Sequence, residues 1–154
     1  MHDLQINTMK KVVIYTDGAC SGNPGKGGWC AILIYNKNGN QIKKSISGSK
    51  NDTTNNQMEL TAVIEAISIL KEPAEVDLFS DSKYVIDGAT KWSNAWMANG
   101  WRASDKKPVA NKELWMKLLS LLPQHQVNWH WVKGHSDNEF NNQCDEMARK
   151  LTKK

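Results

Sequence analysis

The sequence predicts a single α/β domain built on one mixed sheet with helices packed against it. Three observations carry this. Three segments of strand length lie between Val12 and Ser49, helical spacing of apolar residues sets in at Asn56, and the two later strands are each followed by helical segments. Strands first, then helix, strand, helices, strand and helix describe a sheet that opens as a meander and is covered by helices.

The elements follow in order. Val12 to Tyr15 is an apolar run that reads as a buried strand stopped by a turn at Asp17-Gly18. After the glycine-rich stretch Ser21 to Gly28 comes a second strand, Trp29 to Tyr35. The Asn38-Gly39-Asn40 turn leads to a third, Gln41 to Ser49, which makes the three an antiparallel meander. Ala62, Val63, Ala66, Ile67 and Leu70 then fall at helical spacing within Asn56 to Leu70, with Pro73 at the exit. Val76 to Ser80 is a strand, Ser82 to Gly88 a short helix and Lys91 to Asn99 another, ending near Gly100. Lys112 to Leu122 is a helix stopped by Pro123, Val127 to Trp131 an alternating strand, and Asn141 to Leu151 the last helix.

Composition bounds the function. With 154 residues, 40% hydrophobic and 23% charged, the chain can bury a core without disulfides or a structural metal. Cys20, Cys30 and Cys144 are odd in number and form no C-x-x-C pair, so they read as reduced thiols of a cytoplasmic protein. No apolar stretch nears the roughly 20 residues that cross a bilayer. Residues 1 to 8 precede a second methionine, Met9, and read as a loose extension to a domain of residues 9 to 154. Nothing points to an obligate oligomer, and a monomer is expected.

The net charge of +4 is concentrated. Residues 88 to 112 carry Lys91, Arg102, Lys106, Lys107 and Lys112 against Asp105 alone, interleaved with Trp92, Trp96 and Trp101. Cations among aromatics suit a phosphodiester backbone and the faces of its bases and sugars. Trp92 and Trp96 are also spaced i, i+4, as they would be if they simply packed a helix onto the core.

Four carboxylates occupy unusual places. Asp17 follows the first strand and Asp81 the fourth. If the intervening helix is a crossover, these strands are parallel neighbours and both acids leave the sheet at one end. Glu59 lies within about 40° of Val63, Ala66 and Leu70 on the helix wheel, in the middle of the apolar stripe, where a charge needs a partner. Asp145 borders the apolar side of the last helix, formed by Cys144, Ala148 and Leu151. Each acid has a structural alternative: turn residue, helix cap, capping box or favourable dipole partner. Together they describe a set whose mutual repulsion calls for cations, and hard oxygen ligands suit Mg²⁺. Paired ions of this kind are a common clamp for in-line phosphodiester cleavage.

In these motifs the chain resembles a bacterial type 1 ribonuclease H. The likeness runs from Lys11 to Leu151 through Tyr15-Thr16-Asp17-Gly18, Thr53-Thr54-Asn55-Asn56-Gln57-Met58-Glu59-Leu60, Ser80-Asp81-Ser82-Lys83-Tyr84-Val85, Trp131-Val132-Lys133-Gly134-His135 and Asn141 through Glu146. It implies a five-stranded sheet, three strands antiparallel and then two parallel, and hydrolysis of the RNA strand of RNA–DNA hybrids with two Mg²⁺ ions, Mn²⁺ being an alternative. It implies that Asp17, Glu59, Asp81 and Asp145 bind the metals, with Asp17 shared, and that His135 assists proton transfer or product release. It further assigns Cys20, Asn23, Asn55 and Asn56 to hybrid contacts, Thr54 to a DNA phosphate, and the 88 to 112 segment, with Trp92, Trp96, Trp101, Lys106 and Lys107, to a basic handle. Amides suit this reading, because a 2′-hydroxyl both donates and accepts.

Three positions depart from the family pattern. Lys83 stands where many relatives carry glutamine, so a base contact is expected to become a cation near phosphate. Met97-Ala98-Asn99 replaces a basic run of the handle, and Asp137 stands where glycine is frequent. Two other functions compete: a non-catalytic hybrid-binding module, which would not need a repulsive acid cluster, and a related metal nuclease acting on DNA, against which the Asn55-Asn56 pair and the tryptophan-rich handle argue.

Overall fold

The computed structural model describes residues 9–133 and 138–153. The expected extension 1–8 and the positions of His135 and Asp137 lie outside them. Five strands form one sheet in the order β3-β2-β1-β4-β5: β1 (Lys10–Gly22), β2 (Gly25–Lys37), β3 (Asn40–Thr53), β4 (Ala74–Ser80) and β5 (Gln126–Trp131). The first three pair antiparallel, while β4 runs parallel to β1 and β5 parallel to β4. The mixed sheet is the one expected.

The first strand does not stop at Asp17-Gly18. β1 continues to Gly22 and stays paired with β2, Asp17 opposite Cys30 and Gly18 opposite Trp29, and the hairpin closes only at Asn23-Pro24. The glycines at 22, 25, 27 and 28 are therefore strand residues, and those at 27 and 28 are kept small because Thr53 and Met58, and the end of the last helix, lie against them. A Cβ on Gly28 would lie 2.4 Å from the Ala148 carbonyl oxygen. The third strand likewise outruns its expected end and reaches Thr53.

Helix α1 (Asn55–Ser68) is capped by Thr54, whose hydroxyl accepts from the Gln57 amide, and it packs on one face of the sheet. Ile14, Leu33, Leu60, Val63, Ile67, Val76 and Leu78 are buried in that layer. Helix α5 (Glu139–Lys150) starts two residues earlier than expected, capped by Asn138, and covers the opposite face of β1 and β2 over Cys30, Ile32, Cys144 and Ala148.

The two helices expected at 82–88 and 91–99 are one continuous run. α2 (Lys83–Asp87) passes through a π-helical turn at Gly88–Trp92 into α3 (Ser93–Ala98). The glycine does not end the helix because its bare face seats the Trp115 ring, 2.2 Å from where a Cβ would stand. α4 (Lys112–Leu121) supplies Trp115 and Leu118 to the core. Among the described residues no helix is long and apolar enough to cross a membrane.

Candidate active site

The register of the sheet builds the site. β1 and β4 are paired up to Thr16 opposite Ser80, so Asp17 and Asp81 are each one residue past the last rung, side by side at the same end. Glu59 enters from the second turn of α1. Its helix can approach β1 because residue 18 is glycine, where a Cβ would lie 2.5 Å from the Glu59 nitrogen. Asp145 arrives from α5, on the other face. Asp17, Glu59 and Asp81 each offer a carboxylate oxygen, all within 4.8 Å of one another. Asp145 neighbours Asp17 and joins the other three in lining an open cleft of about 760 Å³.

The electrostatics are those of a buried acid cluster. Asp17 is 2% exposed and Glu59 5% exposed. Burial, then the charges of Asp81 and Asp145, pushes the Asp17 carboxyl up to about 9. Burial also raises Glu59 well above the ordinary carboxylate range, with Asp17 and Asp81 adding to it, and the Gly18 amide opposes the shift by donating a hydrogen bond. Asp17 Oδ2, Glu59 Oε1 and Asp81 Oδ1 are buried and find no hydrogen-bond donor among the described residues. Converging unpartnered carboxylate oxygens are the donor set of a hard divalent cation. Asp145 differs, since it is paired with Arg149 at 3.2 Å, one helical turn on.

The residues expected to touch substrate surround this cleft unevenly. Cys20 lines it and donates its thiol to the Thr53 carbonyl at 3.2 Å. Asn55 lines it too, its backbone amide donating to the Asn23 side chain at 3.1 Å, so the β1–β2 hairpin is tied to the start of α1. Asn56 is exposed, and the Thr54 hydroxyl is engaged as the helix cap. Lys83 is exposed beside Asp81, its ammonium 4.5 Å from the centre of the Trp131 ring.

In the handle, Lys106 and Lys107 are exposed on the loop after Gly100, whereas the tryptophans pack against one another with tilted or edge-on rings. Trp96 contacts Trp92, Trp101 and Trp115 at ring-centre distances of 6.0, 5.8 and 5.2 Å. Only Trp92, at 39%, is exposed among these rings. A hydrogen-bond chain anchors the handle to α1: the Gln57 amide donates to Asn111, while Asn111 and the Trp115 indole both donate to the Tyr84 hydroxyl.

Sequence reasoning missed three residues of this site. Gly18 reads as half of a turn, because the turn signal is the same whether or not a helix lies above it. Arg149 was legible as an i, i+4 partner of Asp145. Trp131 looks like one more residue of an alternating strand, and only the pairing of Ser80 with Trp131 brings it against Asp81.

Comparison with known proteins agrees with this geometry. The family model for RNase H matches residues 9–153. A ribonuclease H of Acetivibrio thermocellus is 57% identical over 147 residues, covering 95% of this chain and 97% of that protein. A ribonuclease H of Ehrlichia canis is 56% identical over 141 residues, covering 92% and 94%. Among solved structures, LC9-RNase H1, described as a type 1 RNase H with the type 2 active-site motif, superposes with a TM-score of 0.84 at 28% identity, covering 94% of this chain and 72% of that one. The RNase H domain of PFV superposes with a TM-score of 0.70 at 26% identity, covering 93% and 92%. Fold and acidic cleft together define an enzyme of the nuclease class, a phosphodiester hydrolase. The chain belongs to the ribonuclease H family.

Proposed function

We propose that the chain is an endonuclease that hydrolyses the RNA strand of RNA–DNA hybrids with Mg²⁺, leaving 5′-phosphate and 3′-hydroxyl ends. The observation that carries this reading is the meeting of Asp17, Glu59 and Asp81 from three separate segments, with buried oxygens that lack donors. Two Mg²⁺ ions, or Mn²⁺ in their place, would supply an activated water and stabilisation of the departing 3′ oxygen. Asp17, at the centre of the four acids, would be shared between the ions. Glu59 and Asp81 would hold one side and Asp145 the other, with Arg149 balancing its charge when metal is absent. His135 would exchange protons with the water or the product.

Hybrid binding is assigned to the edge formed by Cys20, Asn23, Asn55 and Asn56, with Thr54 and Lys83 at phosphates and Trp92, Lys106 and Lys107 on the handle. Trp96 and Trp101 would act by holding the handle's shape, as their mutual ring contact supports. The three free cysteines support a reducing, cytoplasmic setting, and we take the working form to be a monomer.

The test is cleavage of labelled RNA–DNA hybrid, duplex DNA and duplex RNA, with Mg²⁺ or with chelator. Cutting confined to the RNA of the hybrid, and abolished by chelator, is expected. Equal cutting of duplex DNA would favour the DNA-acting nuclease, and tight hybrid binding without cutting would favour the binding module. A second expectation concerns the handle. Because Met97-Ala98-Asn99 lacks the basic run of relatives, lysines placed at 97 to 99 should lower the Michaelis constant for hybrid at low salt. An unchanged constant refutes the view that this depletion weakens binding.

A further inference from the structure

Trp131 is the last residue of β5 and 50% exposed. Its two polar faculties are both engaged at the metal-binding end of the sheet. The indole N–H donates to the Asp81 carbonyl at 3.3 Å, and the ring face carries the Lys83 ammonium at 4.5 Å from its centre. One side chain thus touches the backbone of a metal-binding carboxylate and the cation two residues beyond it. Lys83 has no carboxylate partner among the described ion pairs, so the aromatic face is what restrains an otherwise free four-carbon stem.

We infer that Trp131 is a positioning residue for hybrid cleavage: through its indole N–H it holds the Asp81 backbone, and so the placement of the carboxylate, and through its ring face it holds Lys83 beside Asp81 for a substrate phosphate. This rests on the hybrid-nuclease reading above. The two effects are separable, because phenylalanine keeps a ring face and loses the N–H, while leucine loses both.

The experiment is steady-state cleavage of RNA–DNA hybrid as a function of Mg²⁺ and of salt. It uses the full chain, Trp131→Phe, Trp131→Leu, Lys83→Met and the double variant Trp131→Leu/Lys83→Met. Lys83→Met and Trp131→Leu should each raise KM about fivefold at low salt and flatten its salt dependence by about one phosphate contact. The double variant should be no worse in KM than Trp131→Leu alone, since both remove one contact. Trp131→Phe should keep the wild-type KM and salt dependence but lower kcat and require more Mg²⁺ for half-activity.

A Trp131→Leu protein with wild-type salt dependence, additive KM losses in the double variant, or a Trp131→Phe protein with wild-type kcat and Mg²⁺ requirement would each overturn the inference. If leucine prevents folding, the phenylalanine result still decides. Failure of the unaltered protein to cut hybrid would sink the nuclease reading itself, whereas normal wild-type cutting with any of those three results sinks only the role of Trp131.

Discussion

Asp17→Asn will cost hybrid cleavage roughly a thousandfold, the rate equivalent of about 4 kcal/mol, while making the metal-free protein more stable rather than less. The first effect follows from position. Asp17 is the acid in contact with both groups of the cluster, Glu59 and Asp81 from one side and Asp145 from the other, and an amide of the same shape cannot hold a divalent cation in charge balance. The second follows from what the carboxylate endures without metal. It is nearly fully buried, surrounded by like charge, and its Oδ2 meets no donor among the described residues. An amide there carries no charge to desolvate and offers two N–H donors to the neighbouring carboxylates.

The pH dependence gives the sign. A carboxyl whose folded value is raised from 3.8 to about 9 binds its proton more tightly in the native state than in the unfolded chain. Its contribution to stability is whole below pH 3.8 and is lost as pH rises toward 9, by at most about 1.4 kcal/mol per pH unit. Glu59 adds a slope of the same sign. The metal-free wild type should therefore melt lower at pH 8 than at pH 5.5, and Asp17→Asn should melt several degrees above it at pH 8 with a shallower pH slope. Mg²⁺ should reverse the order at pH 8, because it binds the deprotonated cluster of the wild type and stabilises it by mass action. Melting curves by circular dichroism at both pH values, with Mg²⁺ and with chelator, check this. A variant less stable than wild type in chelator at pH 8 would mean that the carboxylates do not repel one another as described.

How far the site was legible depended on whether a residue announces its surroundings. Glu59 did, since a charge in the middle of an apolar helical stripe is a local contradiction that only a partner resolves. Asp17 and Asp81 were legible as a pair once two strands were read as parallel, and the observed rung Thr16–Ser80 puts them one step beyond it together. The extent of β1 was not legible. Asp17-Gly18 has the chemistry of a turn, and what carries the chain onward as strand is the long-range ladder with β2, from Asp17–Cys30 to Gly22–Gly25. The same limit applies at Gly88, where a helix-ending residue lies inside a helix because the distant Trp115 rests on it. The handle's tryptophans divided between reader and scaffold in a way that spacing alone could not settle: Trp92 remains exposed, while Trp96 is wedged among three other indoles.

Gly18→Ala, a change of one methyl group, should cost both stability and activity. The added carbon would stand 2.5 Å from the Glu59 nitrogen, 2.6 Å from the Met58 carbonyl carbon and 2.9 Å from the Met58 Cβ. Two of those atoms are helix backbone, which cannot swing aside as a side chain could, so α1 must back away from β1 at its first turns. Overpacking of this kind costs about 1–3 kcal/mol. The shift also lengthens the distance from Glu59 to Asp17 and weakens the hydrogen bond by which the Gly18 amide holds the Glu59 carboxylate. With Glu59 a metal ligand as proposed, a displacement of about 1 Å is expected to lower kcat by about a hundredfold and to raise the Mg²⁺ concentration for half-activity. Gly39→Ala is the control, because Gly39 has a positive φ of 82° but nothing within 4 Å of an added methyl. It should lose about 1 kcal/mol to backbone strain and keep wild-type kcat and Mg²⁺ dependence. If Gly18→Ala lost stability yet cleaved hybrid at the wild-type rate with unchanged Mg²⁺ dependence, the close approach of α1 to β1 would serve packing alone, and Glu59 would not need the placement that glycine permits.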